Sequence, residues 1–156
     1  MKLFGSLSLL LVMIGCKDPI MTQGLSKASE YDRTKVIYFP CNKYNGSTDW
    51  VYCTPVTVDL SLYPELERAT MTYLMATTRA SSDMIVELYN VDDQVSIPLS
   101  VVISDPSLAV ERKQSSGDIL VHLPLESKTL VVRFRNSEDG PEGYINNYSH
   151  MTLTYK

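Results

Sequence analysis

The sequence predicts an all-β protein, a single antiparallel β-sandwich, and three observations carry that prediction. Short runs rich in Val, Ile, Thr and Tyr recur between turn signals at roughly 8–14 residue intervals, the rhythm of antiparallel sandwiches and barrels. No stretch keeps a 3.6-residue apolar period over three turns, so no long amphipathic helix is expected. The 156 residues, 44% of them hydrophobic, hold one core and little else.

The expected strands are residues 35–39, 50–60, 68–78, 84–91, 100–104, 108–111, 118–123, 129–135 and 144–155. Several alternate in the manner of half-buried strands. Ala69, Met71, Tyr73 and Met75 share one face with Thr70 and Thr72 opposite; Ile119, Val121 and Leu123 oppose Asp118 and His122; Leu130, Val132 and Phe134 oppose Thr129, Arg133 and Arg135. Glu87 interrupts either face assignment for 84–91. Between the runs lies turn chemistry: Leu62-Tyr63-Pro64-Glu65, Ser81-Ser82-Asp83, Asp92-Asp93-Gln94, Ser115-Ser116-Gly117, Glu126-Ser127-Lys128 and Glu138-Asp139-Gly140-Pro141. One helical turn is expected within 62–68.

Residues 1–15 stand apart from this domain. Lys2, an apolar run from Leu7 to Ile14 and the small Gly15 form an export signal. The run is too short for a bilayer core, which takes about 20 apolar residues. Met13-Ile14-Gly15-Cys16 resembles the lipobox of bacterial lipoproteins, with Met13 in place of the usual Leu. The resemblance implies cleavage before Cys16, lipidation of its sulfur and a membrane partner reached through that anchor. Three acyl tails anchor firmly at about 0.8 kcal/mol per buried methylene. Lys17 after the Cys implies, by that family's sorting rules, the outer membrane of a diderm host. Residues 16–34 then read as lipidated Cys and flexible tether, with Pro19, Gly24, Ser26 and Ser29, and 35–156 as the sandwich.

Lipidation of Cys16 leaves Cys41 and Cys53 as one pair in an oxidising compartment. A disulfide there closes a polar loop and contributes roughly 3 kcal/mol by loop entropy; the alternative is two buried thiols. No CxxC or Cys/His spacing points to zinc or to thioredoxin-like chemistry.

The succession 69–78, 84–89, Ile97-Pro98-Leu99-Ser100, 118–125, 129–135 and 144–155 resembles the jelly-roll sandwiches of the galactose-binding-domain-like and carbohydrate-binding-module type. The carriers are Val86-Glu87-Leu88-Tyr89 followed by a polar loop and a Ser, and a last strand with Asn146, Asn147 and Tyr148 near its start. The resemblance implies a jelly-roll fold and glycan binding. That group's structural calcium pattern is not identifiable in this chain.

In the last run, period two places Tyr144, Asn146, Tyr148, His150 and Thr152 on one outward face if Ile145, Met151, Leu153 and Tyr155 point inward. Flat rings stack on sugar C–H faces and amides bond hydroxyls, with Arg133 and Arg135 of the preceding strand expected alongside. The competing reading is a solvated sheet face or a Tyr-rich surface for a protein partner. Trp50, with Tyr44 and Tyr52, either rims a second site or packs against the cystine.

Several functions are excluded or disfavoured. With 14 Lys and Arg against 18 Asp and Glu, a formal charge of −4, there is no basic footprint for nucleic acid. His122 and His150 alone make no metal site, and Asp92-Asp93 and Glu138-Asp139 read as solvated turns before calcium ligands. GxSxG, SxxK with its partner motifs, and Gly-rich phosphate loops are missing, so no catalysis and no cofactor are expected. The expected function is a lipid-anchored, non-catalytic binding module, with glycan the first ligand class. The alternative is a structural or assembly lipoprotein that engages an envelope protein.

Overall fold

The computed structural model describes residues 33–77, 83–104, 111–140 and 143–156. The export signal, Cys16, the tether up to residue 32 and most of the expected strand 108–111 lie outside the described residues.

The strands are β1 Thr34–Tyr38, β2 Lys43–Asn45, β3 Val51–Tyr52, β4 Val56–Val58, β5 Leu66–Thr77, β6 Met84–Asn90, β7 Val95–Ser96, β8 Val102–Ile103, β9 Arg112–Asp118, β10 Lys128–Asn136, β11 Gly143–Ile145 and β12 His150–Tyr155. All pair antiparallel, in two sheets. In the first sheet β12 covers β5 from Leu66 to Thr72 and β11 from Met75 to Thr77, while β9 pairs with β5 from Thr70 to Met75. The overlap puts β9 on one side of β5 and the in-line β11 and β12 on the other, with β1 and β2 beyond them. The second sheet has the same plan: β3 and β4 in line, then β10, β6, and β7 and β8 in line. The chain changes sheet after β2, β4, β5, β8, β9 and β10, the winding of a jelly roll.

Between the sheets, alternate residues meet. Ala69, Met71, Tyr73 and Met75 of β5 and Leu130, Val132 and Phe134 of β10 are buried, as their period-two pattern predicts, and Val86 and Leu88 of β6, whose face the sequence left open, are buried with them. Tyr73 is wholly enclosed, and its hydroxyl donates to Ser100 O at 2.8 Å. Burial drives its pKa well above the ordinary tyrosine value. The Ser100 hydroxyl in turn accepts from Leu88 N–H and donates to Ile97 O, so the Tyr73 and Ser100 hydroxyls are both partnered inside the core.

Cys41 and Cys53 are disulfide-bonded. Cys41 lies between β1 and β2 of the first sheet and Cys53 follows β3 of the second, so the bridge ties the edges of the two sheets together rather than pinning a simple hairpin.

Five local expectations need correction. Residues 50–60 form two short strands because, although the Cys53 N–H still bonds Val132 O, the Thr54 N–H turns to Pro40 O and Pro55 has no N–H, which interrupts the ladder. Residues 112–118 are a strand although Ser115-Ser116-Gly117 reads as a turn; β9 is an edge strand with mostly exposed side chains, which burial patterning does not mark. Residues 118–123 are not a strand. The Asp118 carboxylate accepts N–H bonds from Ala69 and Leu120, ending β9 and starting a 3-10 turn, Leu120–His122, that turns Val121 into solvent. The helical turn expected within 62–68 comes earlier, at Leu60–Leu62, capped by Asp59, and β5 already begins at Leu66. Residues 144–155 are two strands, because Asn146 N–H bonds Leu74 O and Ser149 N–H bonds Asn146 O, closing a turn between them.

Candidate functional site

The outer face of the first sheet gathers the aromatic residues of the last strands. Cross-strand register sets Tyr44, Tyr144 and Ala76 in one row, and Tyr38, His150, Thr72 and Ser115 in another. The turn 146–149 advances the chain by an even number of residues, so Tyr144 and His150 stay on the same face while Ser149 is buried. Tyr148, 62% exposed, stands over the gap between the rows.

Tyr38, Tyr148, His150, Leu74 and Lys113 line a shallow hollow of about 310 Å³. The Tyr38 and His150 rings lie 5.8 Å apart, tilted by 56°. His150 Nδ1 is 2.7 Å from Tyr148 O. A carbonyl only accepts, so Nδ1 is the donor in this contact, and in the tautomer with its proton on Nδ1 the Nε2 atom is an acceptor. Beside the hollow, Asn146 Nδ2 donates to Glu111 Oε1 at 2.5 Å. Further along, Tyr44 and Tyr144 stack at 4.5 Å and the Tyr144 hydroxyl donates to Asn42 Oδ1. Burial raises the Tyr144 pKa, with smaller contributions from Tyr44 and Glu111, so its hydroxyl stays protonated as a donor.

The structure therefore brings together Tyr144, Asn146, Tyr148 and His150, and adds Tyr38, Leu74, Lys113 and Glu111. Period two within β1 places Tyr38 outward with Val36, but only the pairing of β1 with β12 sets it against His150. Lys113 was hidden because β9 reads as a turn.

Arg133 and Trp50 are elsewhere. Both lie on the outer face of the second sheet, since β10 belongs to that sheet and does not flank β11 or β12. The Arg133 guanidinium sits 3.8 Å from the Tyr89 ring centroid and 4.3 Å from that of Trp50. It donates to Glu87 Oε1 through Nε at 2.6 Å, to Ser96 Oγ and to Tyr52 OH. Each guanidinium nitrogen of Arg133 makes a bond within the fold and Trp50 lies against the same group, so both residues stand apart from the hollow of the first sheet. Glu87 is 6% exposed on that outer face, covered by Arg133, which settles the face assignment of β6.

The acidic pairs also serve the fold. Asp92 accepts from Thr129 N–H, Asp93 from Asn90 and Lys128, and Asp139 from Thr48 N–H. Among the described residues no three His, Cys, Asp or Glu side chains converge as metal ligands.

No family model matches the chain, and no curated protein matches it. Solved structures do. The VP2 subviral particle of infectious bursal disease virus matches with a TM-score of 0.52 at 10% identity, over 79% of this chain and 32% of that one. The Gx strain of the same virus gives 0.47 at 9% identity, over 78% and 31%. A family two carbohydrate esterase from Cellvibrio japonicus gives 0.32 at 16% identity, over 79% and 34%. The chain spans about a third of the length of these solved chains. At such identity the first likeness speaks for the fold alone, and the other two are too loose to carry an argument. Together with the two antiparallel sheets, it defines the class: a single antiparallel β-sandwich of jelly-roll type.

Proposed function

We propose that this protein is an exported lipoprotein, anchored through Cys16, that acts as a non-catalytic binding module and holds a glycan on the outer face of its first sheet. The observation behind this reading is the hollow between Tyr38, Tyr148 and His150, with Lys113 at its side. Two exposed phenol rings offer faces to the C–H side of a pyranose, and His150 Nε2, Lys113 and the Asn146–Glu111 pair supply acceptors and donors for hydroxyls. In a diderm host the anchor would sit in the outer membrane.

The test is a glycan array probed with the full chain in detergent micelles, followed by titration of each hit. Tyr38→Ala and Tyr148→Ala are each expected to weaken binding about fivefold, the worth of one stacked ring at about 1 kcal/mol. An array without a hit, together with recovery of a protein partner, would sink the glycan reading.

That second outcome belongs to a structural or assembly lipoprotein that engages an envelope protein. One observation favours it: Val95, Leu99, Val101 and Ile103 are exposed along the β7–β8 edge of the second sheet. An apolar strand edge invites pairing or docking. Ile103→Lys would then abolish partner recovery and leave glycan binding intact.

A further inference from the structure

One pole of the sandwich is apolar, and it is the pole at which the chain enters the domain. Thr34 begins β1 opposite Thr154, Tyr155 lies opposite Leu66, and Lys156 N–H bonds Glu65 O. At this same pole the 3-10 turns Leu60–Leu62 and Leu120–His122 flank a groove of about 510 Å³, lined mainly by aliphatic side chains from 60–66 and 120–125. Around it Leu62 is 69% exposed, Val121 85% and Leu125 77%. The 3-10 turn carries Val121 into solvent between Ile119 and Leu123, which are both buried, and no partner in the described residues covers it.

We infer that this pole docks on the lipid bilayer in which the anchor is inserted, with Leu62, Val121 and Leu125 entering the interface. The inference rests on the lipoprotein reading above. The residues between Cys16 and Thr34 reach no further than about 60 Å even fully extended, so the anchor holds this pole, more than any other surface, close to lipid. Charges of both signs surround the groove, with Arg33, Arg68 and Lys156 against Asp59, Glu65 and Glu67. Attraction to anionic headgroups is therefore not the driving force, and apolar burial is. Docking in this way also orients the candidate site. Leu74 in the floor of the hollow lies eight residues along β5 from Leu66, about 26 Å at the rise of a strand, so the hollow would stand clear of the membrane on the flank of the sandwich.

The experiment uses the full acylated chain in vesicles of phosphatidylethanolamine and phosphatidylglycerol with brominated acyl chains. An environment-sensitive dye is placed at Val121→Cys, or at Glu138→Cys on the opposite pole as the control, and acylation of the same preparation is read by fatty-acid labelling. The expected result is quenching at position 121 and none at 138, unchanged between low and high salt. Leu62→Ser with Leu125→Ser, both at exposed sites that leave the core intact, should lower the docked-to-free ratio about tenfold or more. An acylated chain with no quenching at 121 overturns the docking and leaves the anchor standing. Loss of the acyl label together with loss of quenching overturns both. A dye at 121 that is equally shielded in detergent would assign the patch to a second copy of this chain, and overturns the docking as well.

Discussion

Glu87 and Arg133 form a nearly enclosed ion pair on what should be a solvated sheet face, and cutting it tests how the second sheet is held. The side chains are 7% and 12% exposed, and the carboxylate takes two nitrogens of the guanidinium plus the Ser96 hydroxyl at 2.8 Å. Arg133→Met leaves Glu87 with the Ser96 bond alone. Removing one partner of a buried pair costs about 3–5 kcal/mol, and the surviving hydroxyl bond puts this case near 3 kcal/mol. Glu87→Leu leaves the guanidinium its Tyr52, Ser96 and aromatic contacts, so about 2 kcal/mol is expected. The double variant replaces both charges by apolar groups and should lose only about 2 kcal/mol, mostly the cation between Tyr89 and Trp50. The coupling is then about 3 kcal/mol. Urea unfolding followed by far-UV circular dichroism gives the four stabilities. Trp50, the single tryptophan, reports locally whether its ring has lost the guanidinium. Single losses that add to the double within about 0.5 kcal/mol would refute a coupled pair.

Three other substitutions test separate parts of the fold. A Cβ on Gly143 would lie 2.6 Å from Met84 Sδ and 2.7 Å from Asn136 Oδ1, so Gly143→Ala should cost roughly 1–3 kcal/mol in urea unfolding; no loss would mean the core yields there. Leu99 holds φ 61° after Pro98, in a turn closed by Ser100 N–H to Ile97 O, and its side chain is exposed. Leu99→Gly should therefore raise stability by roughly 0.5 kcal/mol, and a less stable variant would contradict the strain argument. The N–H of Ala69, with that of Leu120 and the charge of Arg68, lowers the Asp118 pKa against the effect of burial. A carboxylate with a depressed folded pKa contributes stability above its unfolded value, and that contribution fades as pH falls through the folded one. The gap between the natural chain and Asp118→Asn should thus be full at neutral pH and close below about pH 4, and a pH-independent gap would refute it.

The fold class was legible because burial imposes period two on any strand with one face in a core. β5 and β10 carry that signature at Ala69 to Met75 and at Leu130 to Phe134, and each is a central strand of its sheet, whereas Glu87 breaks the pattern in β6. Edge strands carry no such signature. β9 is polar because its side chains face water while its backbone pairs with β5, and β2 lies within what reads as a cystine loop. Parity also survived where continuity did not: the turn at 146–149 breaks the last run, yet Tyr144 and His150 remain on one face.

The sequence by itself determined that this is a β-sandwich and which residues of the last run share a face, because alternation is a local property of the chain, while the Cys41–Cys53 bridge was one of two readings until the structure joined the two. Only the tertiary structure decided which strands are neighbours. Sheet membership moved Arg133 and Trp50 away from Tyr148 and His150 and brought Tyr38 and Lys113 to them. It also set the apolar turns at 60–62 and 120–122 beside the start of β1, on the pole where the chain enters. Pairing between residues far apart in sequence depends on which edges meet when two sheets close over a shared core, and the periodicity of a single strand holds no record of that choice.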